Sequence, residues 1–483
     1  MTKSIDMFTH KDTLKVILWK GVEYIGLFLF LALIPRMMGP KLYGDFAIML
    51  SVLGMFILSN ALGGISIFGR FVPEFKVNNQ TACIKGLFTQ FFIFRLISSL
   101  ALAVGLYFFL TYLRPDFDAQ IIIVLCVACV FGTVSLSCTH LFYGLNKMPP
   151  YLFHDSFARM LLVLILLGYW SGINLQTSAN ALVVIEVALA SVLVFLSRNY
   201  FSFSSAKNQS PAFYRHLKFG LAFFASNLLL MVAWRSGELL ISFYTGVSEQ
   251  VAYYHLSNSM FLALTVLFGQ VATVLTPSIN TLHSLGEHKE RDQWLRLMFV
   301  YLTVAAVFVL VVINSIGQPV LLLLLGPGFS EVTANLSIIL ISIIPLNVVR
   351  LGYTVALVHT KTRDNFLVAC VAMFSFIFSA VILIPMMAAK GASFSVVISS
   401  FAAAAFSFHR FRLWTIIEIL NIGKILGVGL VCIGLIVTSD YPKIGTGAVS
   451  LAFFVSMMLL LRIVKVSELR SMVFAKIKKS KLK

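Results

Sequence analysis

The sequence predicts an all-α, polytopic membrane protein, and three observations predict it. Of its 483 residues, 59% are hydrophobic and only 12% are charged, whereas a soluble domain carries roughly 25% charged residues. Mean hydropathy is +0.94. About fourteen apolar segments of spanning length follow one another between residues 16 and 464, each long enough to cross a hydrocarbon core of about 30 Å as a helix. Their connections are short and leave no room for a separate soluble domain.

Segment one, 16–34, carries Lys20 and Glu23 three residues apart, hence on one helical face, and meets Pro35 at its end. It is longer than the core of a signal peptide and lacks a small-residue cleavage site, so it is read as a span. A tight connection, Arg36 to Gly44, leads into segment two, 45–68. Segments three to six occupy 87–113, 119–142, 152–170 and 179–197, and a Ser/Asn/Gln/Pro-rich stretch between Arg198 and Lys218 reads as a surface linker. Segments seven to twelve occupy 219–243, 251–275, 297–325, 331–358, 366–388 and 391–408. Two more, 424–438 and 447–464, precede a basic tail.

Six segments, a linker and six more suggest an internal duplication. Gly39 matches Gly246, Pro73 matches Pro277, Pro115 matches Pro327 and Lys147 matches Lys361, at offsets of 207, 204, 212 and 214. The expected organisation is an N-lobe (1–200), a cytoplasmic linker (201–217), a C-lobe (218–420) and two extra helices with the tail (421–483). The lobes would be pseudo-symmetric six-helix bundles related by a parallel repeat.

Net charge is +18, and its distribution sets a topology. Alternate connections hold most of the basic residues, among them Arg70, Lys76, Lys147, Arg215, Arg291, Arg296, Arg410 and Arg412. The positive-inside rule places those loops and both termini in the cytoplasm. The tail would lie against anionic membrane lipids, and no nucleic acid is needed to explain the charge. The six cysteines fall in or beside apolar segments and form no disulfide framework. Asp116-Phe117-Asp118 has the spacing of a metal-binding DxD but occupies a very short turn, and no phosphate loop, nucleophile elbow or metal-ligand cluster is present. No catalytic residue, metal or cofactor is expected.

Ionisable groups inside membrane segments cost about 2.5–3.5 kcal/mol each on insertion scales and usually face a bundle interior or a wet cavity. Here they are Lys20, Arg95, Arg159, Arg235 and Arg350 against Glu23, Glu186 and Glu238. The basic excess points to an anion. Lys20–Glu23 and Arg235–Glu238 are both spaced to form intrahelical ion pairs, Asp155 is placed to partner Arg159, and Arg350 has no acidic neighbour within a turn. Asn60, Asn227, Trp234, Tyr253, Tyr254, His255, Asn258, Asn347 and Tyr353 accompany them; amides and aromatics suit sugar hydroxyls and ring faces. Tyr253 and Tyr254 also fit an interface belt, and His255 a structural histidine.

The run Arg36-x-x-Gly39-Pro40-x-x-Tyr43-Gly44-x-Phe46, the Gly246…Tyr253 spacing and the Gly326-Pro-Gly-Phe329 turn resemble those of the Wzx-type polysaccharide-biosynthesis flippases. So do the basic loops carrying Lys147 and Lys361. These belong to the multidrug/oligosaccharidyl-lipid/polysaccharide (MOP) exporter superfamily. The resemblance implies a bacterial inner-membrane carrier for undecaprenyl-pyrophosphate-linked oligosaccharide. Its MATE-like lobes would form a V around a cationic cavity lined chiefly by segments one, two, seven and eight. It makes Lys20, Arg70 and Arg235 candidates for the pyrophosphate; Arg350, Asn60 and Asn227 join them on the reading above. It makes Glu23 and Glu238 candidates for gating or for coupling to H+ or Na+. A polysaccharide polymerase and chain-length machinery are the partners implied. A lipid II flippase and a multidrug/cation antiporter of the same superfamily are the alternatives, the latter disfavoured by the basic excess. A membrane glycosyltransferase would need a larger outer loop.

Overall fold

The computed structural model describes residues 10–169, 172–284, 286–358, 362–438, 443–461 and 463, with the backbone alone in a few stretches. Among these residues there are fifteen α-helices and no strand: α1 (His10–Ser59), α2 (Gly64–Val77), α3 (Thr81–Leu113), α4 (Ala119–Gly144), α5 (Met148–Gly168), α6 (Leu175–Ser197), α7 (Phe203–Thr245), α8 (Ser248–Ser284), α9 (His288–Val312), α10 (Gln318–Leu325), α11 (Glu331–Leu340), α12 (Ile343–Val358), α13 (Thr362–Arg410), α14 (Ile419–Thr438) and α15 (Lys443–Leu460). All-helical architecture is what hydrocarbon demands, since a helix satisfies its backbone polar groups within one segment.

Among the described residues, ten helical runs are long and apolar enough to span a membrane, or eleven if the bent pair Phe213–Ser226 and Leu228–Thr245 counts as one span. Two expected connections are single-residue breaks inside longer helices. Pro35, expected to end segment one, stays inside α1; loss of one backbone donor is tolerated in a membrane helix. The break comes at Gly39, with φ 73° and ψ 168°, a conformation open to glycine. Segments eleven and twelve are likewise one helix, α13, broken at Ala388 (φ 48°, ψ −122°). Segment two, by contrast, splits between Asn60 and Gly63, where Leu62 and Gly63 take positive φ. Gly63 lies against the Gly220 backbone with no room for a side chain. A π-helical turn, Ile313–Gly317, joins α9 to α10.

The chain forms two compact units. Unit 1 comprises Met1–Leu256, Leu324–Gly328 and Ala380–Ala392; unit 2 comprises Ser257–Leu323, Phe329–Ser379 and Ser393–Lys483. In unit 1, α1 packs on α5 and α7, α4 on α3 and α6, and α3 on α7. Part of its core is Phe68, Phe88, Phe91, Leu141 and Phe142. In unit 2, α14 and α15 pack on each other and on α9 around Val307, Val311, Ile425, Cys432 and Phe454. Ile97, Leu100, Val104 and Phe108 form an exposed apolar stripe along α3. Such a face suits lipid and not water.

Candidate functional site

The break at Gly39 positions the first group of charged side chains. Tyr43 is fully buried just beyond it, and Gly44 abuts the Ser248 carbonyl so closely that a Cβ has no space. Asp45 then accepts a 2.5 Å hydrogen bond from Ser248 Oγ and pairs with Arg114 at 2.7 Å. Arg114 also grips Asp116 through both carboxylate oxygens, at 2.8 and 2.6 Å. Asp118 caps α4 by accepting from the Gln120 N–H at 2.9 Å. The DxD is therefore a structural turn. The hydrogen bond from Arg114 holds the Asp116 carboxyl below its usual 3.8. A depressed carboxylate stabilises the fold at neutral pH and loses that contribution as pH falls through its folded-state value. Asp116→Asn is thus expected to unfold slightly earlier than wild type at pH 7, a gap that closes below about pH 4 in a thermal-melt series. The carboxylate is 60% exposed, so the effect is small.

A second group gathers near the start of α1. Lys20 and Glu23 form the intrahelical pair that their spacing predicted, at 2.6 Å. Across from them on α5, Ser156 Oγ donates to the Trp19 carbonyl at 3.0 Å and joins the two helices. Asp155 lies within electrostatic reach of Lys20 and Arg159, but its close contact is His154, at 3.5 Å. His154 Nε2 in turn meets Glu186 of α6 at 3.1 Å. Asp155 and Glu186 were among the expected groups and His154 was not. An ionisable residue inside an apolar segment was the signal that could have found it.

A third group lies at the other end of the first half of α1. Glu238, 3% exposed, sits 3.5 Å from His255 of α8, whose ring is 5.9 Å from that of Tyr43. Tyr254 is not an interface residue: it is fully buried and packs on Gly237. Arg235, one turn before Glu238, lies against Gly54, its Nη1 only 3.0 Å from where a Cβ would stand. Arg159 and Arg235 are within electrostatic reach of each other, so α1, α5 and α7 bring Lys20, Arg159 and Arg235 into one neighbourhood.

The remaining candidates are placed apart. Arg95 is completely buried, 3.4 Å from His140 Nδ1 and over the Phe91 ring. Asn60 donates to the Arg95 carbonyl at 3.0 Å and accepts from Ser98 at 2.7 Å, which makes it a brace for the break that follows it. Arg70 is exposed, 5.7 Å from the Phe219 ring centre. In unit 2, Arg350 donates to Asn347 Oδ1 and to the Thr265 carbonyl, both at 2.7 Å. Asn227 lies in α7, but its side chain falls outside the described residues. Among the described residues, no group of three His, Cys, Asp or Glu side chains is arranged to hold a metal.

A family model described as polysaccharide biosynthesis protein matches residues 10–283. The chain belongs to that family. No curated protein matches the sequence closely enough to count as a relative. Among solved structures, the lipid II flippase MurJ in an inward closed conformation is similar over 93% of this chain and 100% of that one, with a TM-score of 0.71 at 15% identity. An inward-facing multidrug resistance MATE transporter of the MOP superfamily is similar over 81% of this chain and 94% of that one, with a TM-score of 0.63 at 12% identity. The Vibrio cholerae MATE transporter VcmN is similar over 83% of this chain and 99% of that one, with a TM-score of 0.53 at 13% identity. At such identities the likeness is one of fold, and the fold is the MurJ/MATE-like helical bundle. The protein is thus a multi-pass membrane member of a polysaccharide-biosynthesis family, with a MurJ/MATE-like fold.

Proposed function

We propose that the protein is a flippase that carries an undecaprenyl-pyrophosphate-linked oligosaccharide, an O-antigen or similar repeat unit, across the bacterial inner membrane, with both termini cytoplasmic. The observation that carries this reading is the basic character of the charges set within the spans of a polysaccharide-biosynthesis family member: Lys20, Arg95, Arg159, Arg235 and Arg350 against Glu23, Glu186 and Glu238. A diphosphate is the anion such groups suit. Lys20, Arg70, Arg235 and Arg350 are assigned to it, with Asn60 and Asn227 as polar neighbours. Glu23 and Glu238 are assigned to gating or ion coupling. The two-lobe organisation of the sequence repeat supplies the alternating access. No covalent step is involved, so the chain acts as a carrier and not as an enzyme. Its partners are the lipid-linked glycan, the surrounding lipids, and the polymerase and chain-length machinery that consume the product.

The test is a deletion strain scored for surface polysaccharide and for lipid-linked repeat units facing the cytoplasm. Loss of surface glycan with single units trapped inside is the expected result. Intact glycan with raised drug sensitivity overturns the reading in favour of an antiporter. Likeness to a lipid II flippase along the full length of that chain supports a second reading. Rescue of a strain depleted of its own lipid II flippase would favour it.

A further inference from the structure

Between residues 184 and 196 of α6 the exposed side chains are Val184, Ala188, Ser191, Val192, Phe195 and Leu196. Steps of three and four residues put them on one face, while α6 packs on α4 and α5 through the opposite one, with Leu182, Ile185, Leu189 and Leu193. Ser191, the polar member of the stripe, donates its hydroxyl back to the Val187 carbonyl at 2.7 Å, so it asks nothing of its surroundings. The stripe ends at two cations. Arg198 opens the 3-10 turn Arg198–Tyr200 that follows α6, and its guanidinium lies 4.0 Å from the centre of the Phe195 ring. Lys147, from the α4–α5 connection, donates to the Tyr200 hydroxyl at 3.1 Å and lies 5.4 Å from the centre of that ring. The hydroxyl keeps its own proton to donate. Both cations are exposed, and among the described residues neither enters an ion pair. The turn that carries them is fixed: Phe201 packs on Phe88 and Phe92, at 4.9 and 5.0 Å, and the Ser202 N–H donates to Thr89 Oγ1 at 2.9 Å.

We propose that this end of α6 is a binding site for an anionic membrane phospholipid, its acyl chains along the α6 stripe and its phosphate at Arg198, Lys147 and the Tyr200 hydroxyl. The argument is one of complementarity in two parts. An apolar face suits hydrocarbon, and the groups at its end suit a phosphate: a guanidinium offers two parallel N–H donors, and an ammonium adds a compact charge. The Phe195 and Tyr200 rings hold both cations in place before the lipid arrives, which lowers the ordering cost of binding. Basic loop residues that serve topology alone need no such seating. A zwitterionic headgroup brings a cation of its own toward two others, so an anionic one is preferred. A headgroup bound there ties the α4–α5 connection to the α6–α7 connection. None of the residues assigned to the transported diphosphate belongs to the site, and the inference stands whether or not that assignment does.

The experiment is native mass spectrometry of the delipidated full chain, titrated with phosphatidylglycerol or with phosphatidylcholine of the same acyl chains. Lys147→Gln and Arg198→Gln are each expected to weaken binding of the first phosphatidylglycerol about fivefold, and the double variant about 25-fold, with phosphatidylcholine binding unchanged. Phe195→Leu keeps both charges but removes the ring beneath Arg198, and is expected to weaken phosphatidylglycerol binding about two- to fivefold. Lys76→Gln removes an exposed cation outside the site and is expected to leave binding as it is. These side chains are exposed, and substitutions at such positions rarely unfold a protein; each single variant serves if the double one does not fold. Equal phosphatidylglycerol affinity in wild type and a folded Arg198→Gln or double variant overturns the proposal. So does a loss in Lys76→Gln as large as that in Arg198→Gln, which would make binding a matter of net charge. Loss of undecaprenyl pyrophosphate binding in the double variant, with phosphatidylglycerol binding intact, also overturns it and gives these residues to the transported lipid.

Discussion

Gly44→Ala is expected to leave little folded protein in the membrane. A Cβ at that position would overlap the Ser248 backbone carbonyl, and backbone cannot swing aside as a side-chain tip does. Relief requires separating the Gly39–Asp45 turn from the α7–α8 turn. That would break the 2.5 Å Ser248–Asp45 hydrogen bond and disturb the Arg114–Asp45 pair, whose side chains are only 11% and 16% exposed. Leaving such groups half-paired costs about 3 kcal/mol or more. The measurement is thermal unfolding of detergent-solubilised protein, followed by size-exclusion profile. A variant that melts with wild type would show that the two turns do not approach as closely as the backbone indicates.

Charge removal at Arg235 is expected to produce the largest loss of transport without loss of fold. Arg235 lies against Gly54, which leaves space for its guanidinium. A charge-assisted hydrogen bond to a phosphate is worth about 1.5–3 kcal/mol. Arg235→Gln should therefore reduce translocation roughly 10- to 100-fold, seen as lost surface glycan in a strain expressing normal amounts of the variant. Arg235→Lys keeps the charge but not the planar fork and is expected to retain an intermediate level. Full activity in Arg235→Gln would remove this residue from the diphosphate site.

Much of the fold was legible because insertion into lipid is decided locally. Each span must satisfy its own backbone hydrogen bonds and be apolar over about 20 residues, and both conditions can be read from a window of sequence. The turn chemistry was legible for the same reason: Gly39 and Gly246 were expected at turns and take φ of 73° and 64°. The extent of the helices was less so. Pro35 looked like a terminus, yet the helix continues through it to Gly39, because neighbouring helices tolerate one missing donor.

The candidate site divides along the same line. Lys20–Glu23 is a contact within one helix, set by its three-residue spacing, and the sequence by itself determined it. Hydropathy and the Gly-Pro-Tyr-Gly turn likewise determined membrane residence and family. Only the tertiary structure decided that Glu186 meets His154, that Glu238 meets His255, that Tyr254 is buried and that Asn60 braces a broken helix. Those contacts join residues on different helices, and depend on how each helix is rotated about its axis and where it is cut. Where apolar residues surround the whole helix, as in these spans, no hydrophobic stripe records that rotation.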